Sequence, residues 1–173
     1  MPQVPILISG RISFDKVGQI AEQMSNIDYP VELALPYKYS DWNDIADYDE
    51  MLEELDKMSL DINAIHATHG KIYDETFLEW GRQTIKVADF FDAKAITIHP
   101  NNVKQNRVNM QIPAKRYIKQ LQRETAIVIA LETFTNSDRL FLPEEIIQNK
   151  IPMTLDMSHI ANRERINEIK YTV

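Results

Sequence analysis

The chain of 173 residues has no cysteine, which excludes a disulfide framework, a thiolate zinc site and a cysteine nucleophile. That composition fits a reducing compartment, and a cytoplasmic location is the expectation. No apolar run approaches the ~20 residues needed to cross a bilayer, so no membrane partner is expected. The opening residues, Met1 to Ser9, lack the basic leader and cleavage site of a signal peptide. Glycine is scarce, at four residues, and no glycine-rich phosphate loop follows the first apolar run. Ser9-Gly10-Arg11-Ile12-Ser13 matches neither G-x-G-x-x-G nor a Walker sequence, which disfavours nucleotide binding. Positive charge is also short: 19 Lys and Arg against 26 Asp and Glu leave a net charge of −7. Duplex DNA is therefore a poor candidate partner, because phosphate neutralisation dominates such affinity. Lys104, Arg107, Lys115 and Arg116 leave room for a local basic rim, although a solvated helix face explains them more simply.

What is present is ordinary in bulk: 44% hydrophobic and 26% charged residues, enough for one domain with a sizeable core. Short apolar runs at Ile6–Ser9, Val31–Leu35, Leu60–His66, Lys94–Ile98, Ala126–Leu131 and from Met153 onward read as six strands. Between and after them lie segments of helical spacing. These run from Phe14 to about Met24, Asp47 to Met58, Asp74 to about Phe91, Pro113 to about Arg123, a short helix from Pro143, and Asn162 to about Lys170. Strict alternation calls for a parallel sheet with helices outside it, the opening of both a doubly wound sheet and a (β/α)₈ barrel.

Side-chain parity separates the two. Ile127, Ile129 and Leu131 share one face of their strand, and Val128, Ala130 and Glu132 the other. Ile96 and Ile98 likewise oppose Thr97 and His99, and Ile65 opposes Ala64 and His66. One face is bulky and suits a cover of helices; the other is small or polar and carries every chemically interesting side chain. A sheet covered on both sides would want bulk on both, whereas a barrel has a distinct interior and places its chemistry at the C-terminal strand ends. The expectation is a TIM barrel. Eight units at about 30 residues each need roughly 240–250 residues, so residues 1–173 are expected to form a single incomplete barrel domain, truncated after about six β/α units. Exposed edges on the first and sixth strands would then favour a homo-oligomer.

All four histidines, His66, His69, His99 and His159, stand at or just beyond strand ends, in company with Glu132 and Asp156. Imidazole nitrogens with carboxylates suit Zn²⁺, Mn²⁺ or Co²⁺. The expected ligands are His66, His99, Glu132, Asp156 and His159, with Glu132 also the catalytic base. His69, Glu32 and Phe134 are placed with the substrate. Trp42 and Trp80 are further aromatics able to line a pocket, and Met153 is expected to pack the barrel.

With those residues in view, the sequence resembles the xylose isomerase-like barrel superfamily, which includes endonuclease IV and many sugar and sugar-phosphate isomerases and epimerases. Ile98-His99-Pro100, Leu131-Glu132-Thr133, Ile65-His66-Ala67 and the segment from Leu155 and Asp156 to His159 resemble the family's motifs on strands three to six, and Val31-Glu32-Leu33 resembles the E-L of its sugar-acting branch. The resemblance implies one cation on His66, His99 and Glu132, and a second shared by Glu132 and Asp156 with ligands from later strands. His159 would bind a further zinc in an endonuclease or a substrate hydroxyl in an epimerase. Asn101-Asn102-Val103 departs from the endonuclease H-P-G-S-H, and Glu132-Thr133-Phe134 from its E-N-T. The implied activity is metal-dependent isomerisation or epimerisation of a small sugar or sugar phosphate by proton transfer alpha to a carbonyl. An apurinic-site endonuclease and a truncated, non-catalytic barrel are the alternatives.

Overall fold

Alternating Ile and small residues make Ala95–Ile98 a strand, and its neighbours repeat the pattern. The computed structural model describes residues 11–13, 30–35, 48–57, 59–134 and 138–155. The expected strand Ile6–Ser9, the helices Phe14–Met24 and Asn162–Lys170, Trp42, and the site residues Asp156 and His159 lie outside the described residues. Strands β1 (Arg11–Ser13), β2 (Val31–Ala34), β3 (Ile62–His66), β4 (Ala95–Ile98), β5 (Val128–Glu132) and β6 (Met153–Thr154) form one sheet in the order β1-β2-β3-β4-β5-β6, every pair parallel. Helices α1 (Tyr48–Lys57), α2 (Thr76–Phe90), α3 (Arg107–Glu124) and α4 (Pro143–Gln148) connect β2 through β6. Each strand joins the same growing edge. A doubly wound sheet reverses direction at a switch point; here there is none among the described strands, as the barrel expectation requires.

Two boundaries differ from the expectations. Arg11–Ser13, which falls between the expected strand Ile6–Ser9 and the expected helix from Phe14, is a strand paired with Glu32–Ala34. Helix α3 starts at Arg107 rather than Pro113, and Pro113 lies inside it. Proline has no N–H to give the Asn109 carbonyl, and Asn109 is an exposed residue, where that loss costs least.

Registers align side chains into rows across the sheet. Leu33, Ile65, Ile96 and Ile129 pair in succession and are all nearly fully buried on the outer face, with Phe77, Trp80, Ile118 and Leu121 of α2 and α3 in the same hydrophobic core. Ala34, His66, Thr97 and Ala130 form the opposing row, also buried. Met153 and Leu155 are 39% and 49% exposed, against the expectation that Met153 packs the barrel. β6 is the edge of the described sheet, with a paired neighbour on one side only.

Asp74 opens α2, its carboxylate accepting from the Thr76 N–H at 3.1 Å. Pro143 begins α4, where the Glu145 carboxylate accepts from the Leu142 N–H at 2.8 Å. Turns leaving α1, α2 and α4 pass through Ser59, Asp92 and Lys150 at positive φ, a place glycine usually fills and this glycine-poor chain fills otherwise. Arg82 on α2 grips Glu124 at the end of α3 through two hydrogen bonds of 2.8 and 2.9 Å. Those bonds hold the Glu124 carboxyl below its ordinary range, so this exposed pair contributes at neutral pH and is lost as acid protonates Glu124.

Gly81 is where α2 and α3 meet. A Cβ there would lie 2.5 Å from Cδ1 of Leu121, itself buried. Gly81→Val is therefore expected to cost about 1–3 kcal/mol through overpacking, lowering the melting temperature by roughly 2–12 °C; a thermal melt showing no decrease would contradict the close approach.

Candidate metal centre

The functional side chains emerge where the inward rows reach the C-terminal strand ends. His66 is the last residue of β3. His99 follows β4, and Glu132 ends β5. The final β4–β5 pair is Ile98 with Leu131, so the next residues, His99 and Glu132, are neighbours by register. Their side chains meet: His99 Nε2 contacts Glu132 Oε2 directly. His66 Nε2 lies 2.7 Å from His99 Nε2 and 3.8 Å from Glu132 Oε2. His66 and Glu132 are 4% and 3% exposed.

Glu32 sets the chemistry of His66. Its Oε1 is 3.3 Å from His66 Nδ1, a contact that is a hydrogen bond in the tautomer carrying its proton on Nδ1. The lone pair then sits on Nε2, facing His99 and Glu132. A carboxylate behind a histidine, fixing its tautomer and ring orientation, is the support a metal-binding imidazole commonly has. Glu32, read from sequence as a substrate contact, thus stands behind the imidazole.

His69 joins from the loop after β3. Its ring centroid is 4.0 Å from that of His99 and 6.5 Å from that of His66. The ligand atoms of His66, His69 and His99 lie within 4.8 Å of one another, so these three can hold a metal ion. Sequence alone places His69 with the substrate; in the fold its ring lies beside that of His99. Phe134 meets His99 edge to face at 5.2 Å between centroids, and Arg139 caps the other aromatic surface, with Cζ 3.7 Å from the Phe134 centroid. Arg139 Nη1 also donates to the Pro100 carbonyl at 3.0 Å, tying the β5 loop to the β4 loop. Trp80 is buried in the hydrophobic core.

The donor set fits a divalent cation. His66 Nε2 and His99 Nε2 lie 2.7 Å apart, and the Glu132 carboxylate occupies the same space. A cation held by all three replaces those contacts with bonds to lone pairs. Two residues that sequence reasoning missed support the site: Arg139, described above, and Asn101, whose side chain spans the β3 and β4 loops. Neither belongs to a strand period, so no spacing signal marks them.

No protein-family model and no curated protein matches the chain. Among solved structures, a D-tagatose 3-epimerase-like protein is similar at a TM-score of 0.63 and 14% identity, over 87% of this chain and 65% of that one. A xylose isomerase domain protein from Planctomyces limnophilus is similar at 0.57 and 16%, over 87% and 63%. The chain spans just under two thirds of the length of each. At these identities the likeness shows the fold alone, that of an α/β barrel. No helix among the described residues is long and apolar enough to cross a membrane.

Proposed function

We propose that this chain, a xylose isomerase-like barrel in its fold, is a divalent-metal-dependent isomerase or epimerase of a small sugar or sugar phosphate, working in the cytoplasm. The observation that carries this reading is the meeting of His66 Nε2, His99 Nε2 and Glu132 Oε2 at the strand ends, where barrels of this class place their chemistry. A bound Zn²⁺, Mn²⁺ or Co²⁺ supplies Lewis acidity toward a carbonyl and its neighbouring hydroxyl.

The protein's own groups do the rest. Glu32 keeps the His66 proton on Nδ1, so that Nε2 remains a ligand. Glu132 would help His66 and His99 hold the cation, and its carboxylate would accept the proton alpha to the substrate carbonyl. Return to the adjacent carbon, with the hydroxyl proton passing to the carbonyl oxygen, gives isomerisation, whereas epimerisation at the same carbon takes its proton from a second acid on the opposite face. Phe134, against His99, supplies an apolar wall beside the reacting carbons. Asp156 and His159 remain proposed as further ligands, as does self-association through the sheet edges.

The endonuclease alternative needs a basic groove. Of the residues that could form one, Arg107 contacts Glu145 at 3.0 Å, Lys115 contacts Asn149 at 3.2 Å, and Arg116 stacks on Tyr117. These contacts support the solvated-helix reading of that charge.

The test is solvent exchange. Protein loaded in turn with Zn²⁺, Mn²⁺ and Co²⁺ is incubated in D₂O with a panel of ketoses, aldoses and their phosphates, and deuterium at the carbon alpha to the carbonyl is followed by NMR. The expected outcome is metal-dependent deuterium incorporation into at least one sugar. Cleavage of abasic DNA without any sugar exchange would replace the proposal with the nuclease reading; neither activity under any metal would leave a non-catalytic barrel.

A further inference from the structure

The loop that carries His69 follows β3 and is held at both ends. At its start, the Ala67 N–H donates to the Thr97 carbonyl at 2.9 Å. Near its end, the side-chain amide of Asn101 bridges two backbone groups. Nδ2 donates to the Gly70 carbonyl at 2.6 Å, and Oδ1 accepts from the Ile72 N–H at 2.8 Å. A carbonyl can only accept and an N–H can only donate, so the orientation of the amide is fixed by its partners. Asn101 itself follows His99 by two residues, and its carbonyl accepts from the Leu140 N–H at 2.7 Å. Beneath the loop lies the indole of buried Trp80, so close that a Cβ on Gly70 would come within 2.6 Å of its Nε1. His69 is thus carried on a short segment anchored to the chain that carries His99.

We propose that Asn101 is a positioning residue that sets His69 as the third imidazole of the cation site, and that the site thereby selects nitrogen-preferring cations such as Co²⁺ and Zn²⁺ over Mn²⁺. The inference rests on the metal-centre reading above and narrows it. Imidazole suits zinc and its neighbours in the late first row, whereas carboxylate and water suit manganese. Two imidazoles and a carboxylate are a mixed set; the third imidazole tips it. The Asn101 amide bonds to the backbone of Gly70 and Ile72, so the clamp fixes the segment that begins one residue after His69.

The test compares binding of Co²⁺ and of Mn²⁺ by the wild-type chain and by His69→Ala, Asn101→Leu and Asn101→Asp, using calorimetry and the visible spectrum of bound Co²⁺. Asn101→Asp keeps the shape of the side chain, retains an acceptor for Ile72 and turns the Gly70 contact into one between two oxygens; it serves where Asn101→Leu fails to fold. Each variant is expected to weaken Co²⁺ binding by about 10–100-fold, the usual effect of losing a group that supports a ligand. Mn²⁺ affinity should fall roughly threefold or less, and the Co²⁺ spectrum of the Asn101 variants should change as it does in His69→Ala. Equal losses for both cations, an unaltered Co²⁺ spectrum, or wild-type affinity in either the Asn101 variants or His69→Ala would overturn the proposal while leaving the centre of His66, His99 and Glu132 intact. A wild-type chain that binds neither cation would overturn both.

Discussion

Glu132→Gln is expected to abolish turnover almost completely, with a loss of about 10²–10⁴-fold from the missing base and a further loss from weaker metal binding. The substitution preserves shape in a place where shape matters, since Glu132 is buried at the end of β5 with its Oε2 against His99 and near His66. What it removes is the negative charge and the basic oxygen. An amide oxygen is a poor ligand for zinc-like cations and cannot take a proton from carbon. The barrel itself should survive: the outer row of Leu33, Ile65, Ile96 and Ile129 is untouched, and the apo variant should melt close to the wild type. Deuterium exchange and a thermal melt on the same sample check both halves. Retained exchange in a folded Glu132→Gln variant would remove this residue from the chemistry.

Trp80→Ala carries the largest expected effect on stability. Trp80 is among the largest fully buried side chains and stands 4.6 Å, centroid to centroid, from Phe77. Truncating such a residue costs about 3–5 kcal/mol in lost transfer energy and residual cavity, or roughly 6–20 °C of melting temperature for a domain of this size. The effect should reach the metal centre as well, because the indole lies against Gly70, next to His69. Co²⁺ binding by the folded fraction should therefore weaken together with the melt. A variant that melts like the wild type would mean that the packing between α2 and the β3 loop is not as described.

Much of the architecture was legible because it depends on period. Alternation of strands with helices, and of bulky with small residues along each strand, sufficed to indicate a parallel sheet of barrel type with His66 and Glu132 on its inner face. His99 and Glu132 were legible for the same reason: each continues the inward parity of its strand, and parallel register makes them neighbours. Glu32 was harder. Its approach to His66 depends on a register shift between Val31 and Glu32 in the β2–β3 pairing, and parity counted along one strand cannot foresee a shift between two. His69 and Asn101 sit in loops, where no period operates, and their roles follow from a side-chain amide that happens to span two loops. Pro113 misled because proline is a frequent helix starter, while here it lies inside α3, one turn after the exposed residue Asn109.

The most direct test of the account is anomalous diffraction from crystals of the wild-type chain soaked in Co²⁺ or Zn²⁺. The account predicts a peak at the strand ends bonded to His66 Nε2, His99 Nε2 and Glu132, with His66 Nδ1 still directed at Glu32. Saturating metal with no peak at that position, or with peaks confined to surface carboxylates, would contradict it.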